Sequence, residues 1–370
     1  MVYHILGLMS GSSLDGLDLA YCAIEWENNA VVNWEILQAA TLPFSELWQR
    51  RLRNLPQQDA LIFAKTHTYF GHYLAELVQH FLKQHHIQHL DAIASHGHTI
   101  FHDPSRLFTS QIGDGAVLAA QTGYTTICDF RTQDVALKGE GAPLAPLVEK
   151  HLLGGYDFYL NLGGIANVSA PVGQDKWVAF DCCPANQLLN GLAQELGAAY
   201  DEAGQWARAG EVLPDLLTQA AQAEFYHQAY PKSLGNSWIQ QEVLPLYKGA
   251  TGSWQDKLAT ATEHIAIAVA DALQQIIEQE QLPKESTFRV LTTGGGAFNT
   301  YLMESIQAYA ERFYNLEIHC PPPQLIAYKE ALLMALLGVL RLEGQPNSLA
   351  SVTGAERDTV NGAVYFGFKF

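Results

Sequence analysis

The chain of 370 residues is 48% hydrophobic and 16% charged, with 30 glycines and 15 prolines. That composition excludes wholesale disorder, and the length can bury sizeable cores without disulfide staples. Its 21 basic and 38 acidic residues leave a formal net charge of −17, so the average surface repels phosphate backbones and anionic lipid, which excludes nucleic acid and membrane surfaces as partners. A small anionic ligand remains compatible where backbone amides or a metal ion reverse the local field. Cys22, Cys128, Cys182, Cys183 and Cys320 are scattered without CxxC spacing and read as reduced thiols. The start lacks a basic leader, and no apolar stretch reaches the roughly 18 residues of a membrane span, so a cytoplasmic location is expected.

Tyr3 to Met9 is a short apolar run ended by Ser10-Gly-Ser-Ser, which predicts a buried strand. Leu19 to Trp26 and Val31 to Ala39 follow as two more strands, giving an antiparallel meander. The pattern is helical from Phe44 to about His85, then Ala92-Ile-Ala predicts a short strand, Gly113 to Gln121 a helix and Thr125 to Cys128 a strand. A second series opens with strands Phe158 to Leu162, Ala166 to Ala170 and Lys176 to Asp181. Helices are predicted over Ala185 to Leu196 and Ala259 to Glu280, a strand over Arg289 to Thr293, and a buried helix over Ile326 to Leu340. The order βββαβα thus occurs twice, about 155 residues apart. This is duplication of pattern rather than of letters. It predicts two α/β lobes with a cleft between them, divided near Gly154-Gly155 into residues 1–154 and 155–370. The last helices and strand are left open to return to the first lobe.

Glycine turns follow the first strand of each series. In Ser10-Gly11-Ser12-Ser13-Leu14-Asp15-Gly16, missing Cβ atoms let backbone N–H groups approach an anionic oxygen. The hydroxyls add donors, and Asp15 is a candidate for holding Mg²⁺ through water. A plain tight turn is the alternative. Leu162-Gly163-Gly164 occupies the equivalent place in the second series, and two such turns facing one another would clamp a nucleoside triphosphate. Gly294-Gly295-Gly296, between a strand and a helix, would let a flat ring or ribose lie against bare backbone.

Phosphoryl transfer to an acceptor needs a base, and the candidate is Asp181 at a strand end, where partial desolvation raises a carboxyl pKa. Its alternative role is to cap the following helix. Arg131 in Asp129-Phe-Arg would grip a carboxylate or phosphate, or else pair with Asp129. His96, His98 and His102 have transition-metal spacing, which opens the alternative of a metal-dependent hydrolase. The other reading has His96 and His98 bonding a polar substrate from a strand end. His85, His86 and His89 lie beside a helix end and read as solvated.

Together, Met9-Ser-Gly-Ser-Ser-Leu-Asp-Gly, His96-Gly-His-Thr-Ile, Gln111-Ile-Gly-Asp-Gly, Asp129-Phe-Arg, Gly141-Ala-Pro-Leu-Ala-Pro, Asn161-Leu-Gly-Gly-Ile-Ala-Asn-Val, Phe180-Asp181, Thr293-Gly-Gly-Gly-Ala-Phe-Asn, Lys329-Glu-Ala and Thr353-Gly-Ala resemble the anhydro-N-acetylmuramic acid kinases. The resemblance implies two actin-like (ribonuclease H-like) lobes with a central cleft. It also implies ATP and Mg²⁺ as cofactors, a small amino sugar as partner and a homodimer. The implied reaction opens 1,6-anhydro-N-acetylmuramic acid with water and phosphorylates O6, giving N-acetylmuramic acid 6-phosphate in cell-wall recycling. Asp181 is then the catalytic base, Ser10 to Gly16 and Gly163-Gly164 the phosphate turns, and Gly294 to Gly296 the nucleoside turn. His96, His98, Arg131, Asp134 and Glu330 become sugar contacts.

The chain departs from that family's expected pattern at several places. Cys183 stands for Gly, His98 for Gln, Asn190 for Asp, and Lys138-Gly-Glu140-Gly for Gly-Gly-Gln-Gly. Glu140 places a carboxylate near an anionic substrate, with Lys138 as the expected compensation. The Cys182-Cys183 and Glu140 changes are the support for a second alternative, a nucleotide- or sugar-binding sensor without turnover.

Overall fold

The computed structural model describes residues 1–11, 13–173, 176–283 and 285–368. Ser12 of the first glycine turn therefore lies outside the described residues. The chain divides into two units, Met1–Gly154 with Tyr328–Phe370, and Gly155–Ala327.

In the first unit β1 (Val2–Ser10), β2 (Gly16–Glu27) and β3 (Ala30–Pro43) form the expected antiparallel meander. Ile5, Leu6 and Leu8 of β1 are fully buried, as befits a central strand covered on both faces. β4 (Ala92–Asp103) lies parallel to β1, β5 (Phe108–Ile112) runs antiparallel to the far half of β4, and β6 (Thr126–Cys128) is parallel to its near half. The single helical stretch expected from Phe44 to His85 is two helices, Glu46–Asn54 and Ala60–Gln84. Pro56 lacks the N–H needed to continue the first, and the Asp59 carboxylate accepts from Ile62 N at 2.8 Å to start the second. β4 is four times longer than its apolar core suggests, because pairing with β5 extends it through polar residues.

The second unit repeats the plan. β7 (Phe158–Leu162), β8 (Ile165–Pro171) and β9 (Trp177–Pro184) form a meander, followed by the helix Asn186–Ala193. The helix Trp254–Gln279 opens on a capping box between Ser253 and Asp256 and runs through the core. It leads to β10 (Thr287–Thr293), parallel to β7, and the helix Thr300–Ala310 leads to β11 (Asn315–His319), parallel to β10. The strand orders β6-β4-β1-β2-β3 and β11-β10-β7-β8-β9 correspond element by element. Short helices at Gln205–Ala209, Pro214–Ala221 and Leu244–Gly249 fill the interval before Trp254, where the pattern predicts nothing.

The C-terminal segment belongs with the first unit, so the expected block 155–370 is divided at Tyr328. The helix Pro323–Leu342 departs from helical geometry at that residue (φ −117°, ψ 16°). Beyond it the helix rests directly on strand backbone: a Cβ on Gly7 would lie 1.8 Å from the Ala331 carbonyl oxygen, and one on Gly338 would lie 2.9 Å from the Ala94 Cβ. β12 (Ala363–Tyr365) then pairs antiparallel with β6. Among the described residues no helix is long and apolar enough to cross a membrane. The Gly7 contact has no room to relax, since both partners are backbone. Gly7→Ala should lower the unfolding free energy by about 3 kcal/mol in urea titrations, and an unchanged midpoint would contradict this packing.

Candidate active site

In the first unit the functional candidates gather where β1 ends at Ser10 against the middle of β4, at His98. Ser10 pairs with His98 across the ladder, and its Oγ hydrogen-bonds His98 Nδ1 at 2.9 Å. The connection to β2 is held by Asp15, whose Oδ1 accepts from Ser13 Oγ at 2.6 Å and from Gly16 N at 3.0 Å. Its carboxylate is exposed, as is the side chain of Glu330. Asp18, three residues into β2, was not singled out by sequence reasoning. Burial raises its pKa, Thr41 Oγ1 donates to it at 2.5 Å, and Asp15 and Glu330 add to the rise by repulsion. The spacing of Asp15 and Asp18 in Asp15-Gly-Leu-Asp18 is the signal that could have found it. Asp15 in the turn and Asp18 just after it are hard oxygen donors of the kind that suits Mg²⁺.

His96 stands on the same strand, two residues before His98. Arg131 Nε donates to His96 Nε2 at 2.8 Å, so the ring proton resides on Nδ1, which donates to the Gly97 carbonyl at 3.1 Å. Burial and the adjacent guanidinium push the His96 pKa down to about 3, and burial lowers His98 to about 4. Both rings are therefore neutral hydrogen-bonding groups at physiological pH. Arg131 also donates from Nη1 to the Gly141 carbonyl at 2.5 Å, and burial lowers its pKa only to about 10, so it stays cationic. The alternative Asp129–Arg131 pair is not formed; Asp129 accepts from Thr132 N instead.

Asp134 departs from its expected place among the sugar contacts. It is fully buried, with Oδ1 accepting from Ser348 and Thr353 hydroxyls and Oδ2 from Gly141 N at 2.8 Å. Its oxygens are thus committed to tying the 138–141 loop to the C-terminal segment. Nearby, Lys329 Nζ lies 3.7 Å from Glu149 Oε1, a buried ion pair next to Glu330. The hydrolase alternative is also corrected. His96, His98 and His102 do not bring three ring nitrogens within 4.8 Å of one another, because His102 lies beyond an irregularity in the β4–β5 pairing and bonds Thr109 Oγ1.

In the second unit, parallel pairing of Asn161 with Thr293 ends β7 and β10 together. Gly294 (φ 82°) sits so close that a Cβ would lie 2.6 Å from the Leu162 carbonyl carbon, which brings the two glycine turns into contact. The start of the helix Asn186–Ala193 completes the corner: Asn186 N and Gln187 N donate to the carbonyls of Gly163 and Gly164, and Asn186 Nδ2 donates to that of Leu162. A cavity of about 480 Å³ opens here, lined in part by Asn186, Asn190, Tyr200, Gly295, Phe298 and Asn299. A second of about 400 Å³ shares Asn186 and Asn190 and reaches Gly164. The side-chain roles of Asn186 and Tyr200 escaped sequence reasoning, since neither belongs to a glycine turn, and Phe298 entered only as a letter of the third one.

Asp181 lies in β9 and does not cap the following helix, whose N-cap is Ala185. Its Oδ2 accepts from Leu234 N at 2.7 Å and Ser233 Oγ at 3.3 Å, and among the described residues nothing bonds Oδ1. Burial raises its pKa against the pull of those two hydrogen bonds.

The sequence matches the family model for anhydro-N-acetylmuramic acid kinase over residues 3–367. The chain belongs to the anhydro-N-acetylmuramic acid kinase family. Curated relatives bearing that name are similar end to end: one from Aliivibrio fischeri is 32% identical, covering 97% of this chain and 98% of the relative. One from Vibrio cholerae is 33% identical with 98% of each covered, and one from Legionella pneumophila is 33% identical with 97% of each covered. Membership in this kinase family places the chain among phosphotransferases.

Against the family pattern, Cys183 is accommodated without strain: it is buried within β9 opposite Ala166 and lacks a positive φ. Lys138 does not compensate Glu140, because its Nζ pairs with Glu356 at 2.7 Å. Glu140 instead acts on His102, whose pKa it raises against a larger lowering by burial. The two changes that supported a sensor without turnover therefore leave the kinase constellation in place.

The depressed His96 pKa has a thermodynamic consequence. The folded state holds this ring neutral from 6.5 down to about 3 while the unfolded chain protonates at 6.5. The stability it provides is complete above pH 6.5 and lost as pH falls toward 3. His96→Gln should reduce the acid slope of unfolding free energy by up to about 1.4 kcal/mol per pH unit in that window, measured by urea titration across pH.

Proposed function

We propose that the protein phosphorylates 1,6-anhydro-N-acetylmuramic acid with ATP, opening the anhydro bridge in the same event to give N-acetylmuramic acid 6-phosphate and ADP in cell-wall recycling. The observation that carries the reading is Asp181. It is a half-buried carboxylate with a raised pKa, one oxygen held by Leu234 N and Ser233 and the other unengaged among the described residues. Such a group can orient and deprotonate water.

Water attacks C1 and gives its proton to Asp181. The C1–O6 bond breaks as O6 forms its bond to the γ-phosphorus, and the bond from that phosphorus to the ADP oxygen breaks. One base therefore serves both ring opening and transfer. Gly163-Gly164 and Gly294 to Gly296 take the nucleotide, the adenosine occupying the cavity beside Asn186 and Gly295. Ser10, Gly11, Ser13 and Gly16 bond phosphate oxygens. Cationic Arg131 and the neutral imidazoles of His96 and His98 bind the lactyl carboxylate and hydroxyls of the sugar, with Glu330 beside them. Asp15, through water and with Asp18 next to it, would hold Mg²⁺, which neutralises charge on the β- and γ-phosphates when bound. The reading carries with it the cytoplasmic location expected from the sequence and the homodimer that the family resemblance implies.

Asp181→Asn should lower kcat by about 10³-fold while nucleotide affinity stays within twofold, because the amide keeps the shape and loses the base. In oxygen-18 water the label should enter the anomeric hydroxyl; label in the phosphate would overturn the mechanism. Gly295 offers a separate test, since a Cβ there would meet only Asn186 Nδ2, at 3.6 Å. Gly295→Val should weaken ATP binding at least about tenfold in calorimetry, with the melting temperature of the free protein unchanged within about 2 °C.

A further inference from the structure

The histidine-rich stretch His85-His-Ile-Gln-His-Leu-Asp91 plays no part in the site above, and the fold brings its end against the start of β1. His4 of β1 lies six residues before Ser10, hence about 20 Å away along the strand. Here His4, His89 and Asp91 each offer a ligand atom, and the three atoms lie within 4.8 Å of one another; no other group of this kind occurs among the described residues.

Several distances have the values that a shared ion would require. Two ligand atoms each about 2.0–2.1 Å from a tetrahedral zinc stand about 3.3 Å apart, and His89 Nε2 is 3.3 Å from Asp91 Oδ1. Two imidazoles on one such ion have ring centroids about 5 Å apart, and those of His4 and His89 are 5.0 Å apart at an interplanar angle of 73°. The carboxylate is already oriented, because His4 N donates to Asp91 Oδ2 at 2.7 Å. His89 is fixed in turn by Tyr21, whose hydroxyl donates to the His89 carbonyl at 2.9 Å and whose ring stacks on His4. Finally, His4 Nδ1 is buried with no hydrogen-bond partner among the described residues, a condition that a buried ring nitrogen rarely sustains without a ligand.

We propose that His4, His89 and Asp91 form a binding site for a first-row divalent metal ion, zinc in the first instance, remote along β1 from the Ser10 end. Two imidazoles and one carboxylate form a borderline-soft set that favours zinc, nickel or copper over magnesium. The ion would pin the segment that follows the helix Ala60–Gln84 to the first strand, and the site is independent of the kinase reading.

The test is calorimetric titration of zinc into the chelator-stripped full-length protein, in excess Mg²⁺ to occupy oxygen-only sites. One zinc per chain is expected, with His89→Gln and His4→Gln each weakening it at least tenfold and His86→Gln leaving it unchanged. The His89 side chain is 66% exposed, so its variant keeps the fold even if His4→Gln does not. Cobalt(II) in place of zinc should give the intense visible absorption of a tetrahedral ion in the parent protein and lose it in His89→Gln. Absence of saturable zinc binding, equal binding by His89→Gln, or only the weak spectrum of six-coordinate cobalt would overturn the site.

Discussion

Parallel pairing of Asn161 with Thr293 carries the chain out of β7 and out of β10 at the same corner of the second unit, and the chemistry there depends on it. Two loops can leave adjacent parallel strands in contact only if their backbones approach closely, and Gly294 with its positive φ makes that approach against Leu162. Once the loops touch, Asn186 can bond both the Leu162 carbonyl and the Gly163 turn, and the cavity forms beside it. In the first unit polar groups make the join: β1 ends against the middle of β4, and the Ser10–His98 hydrogen bond links them.

Neutral imidazoles beside a cationic guanidinium make the sugar-facing candidates of the first unit an unusual electrostatic environment for a protein of charge −17. Burial keeps His96 and His98 from competing with Arg131 for an anion while leaving each as a defined donor or acceptor. Arg131 is itself held by His96 and the Gly141 carbonyl, and the loop bearing Gly141 is held by Asp134. Asp134 in turn takes its partners from Ser348 and Thr353, near the end of the chain. Positioning of the cation therefore depends on residues more than two hundred positions away, in the C-terminal segment that packs with the first unit.

Much of this plan is legible in the letters. Strand runs such as Phe158 to Leu162, bounded by glycine, declare themselves because apolar length and turn residues are local properties. The repeated βββαβα order follows from the same signals, as do the glycine turns; Asp181, expected at a strand end, lies inside β9, which runs on to Pro184. Pairing partners are not local. β5 is not read as a strand because its hydrogen bonds, not its composition, make it one, and β4 reads short because its polar half is a strand only opposite β5.

For single residues the division is the same. Residue chemistry alone nominates Arg131, His96 and Asp181, since a guanidinium can grip an anion, an imidazole can bond a polar substrate and a carboxylate can act as a base. What each group does was decided by its neighbours in space. Asp134 and Arg131 are three residues apart, yet the former is sealed into the protein and the latter remains a buried cation. Burial and hydrogen-bond partnership depend on chain segments distant in sequence, and only tertiary structure brings those together.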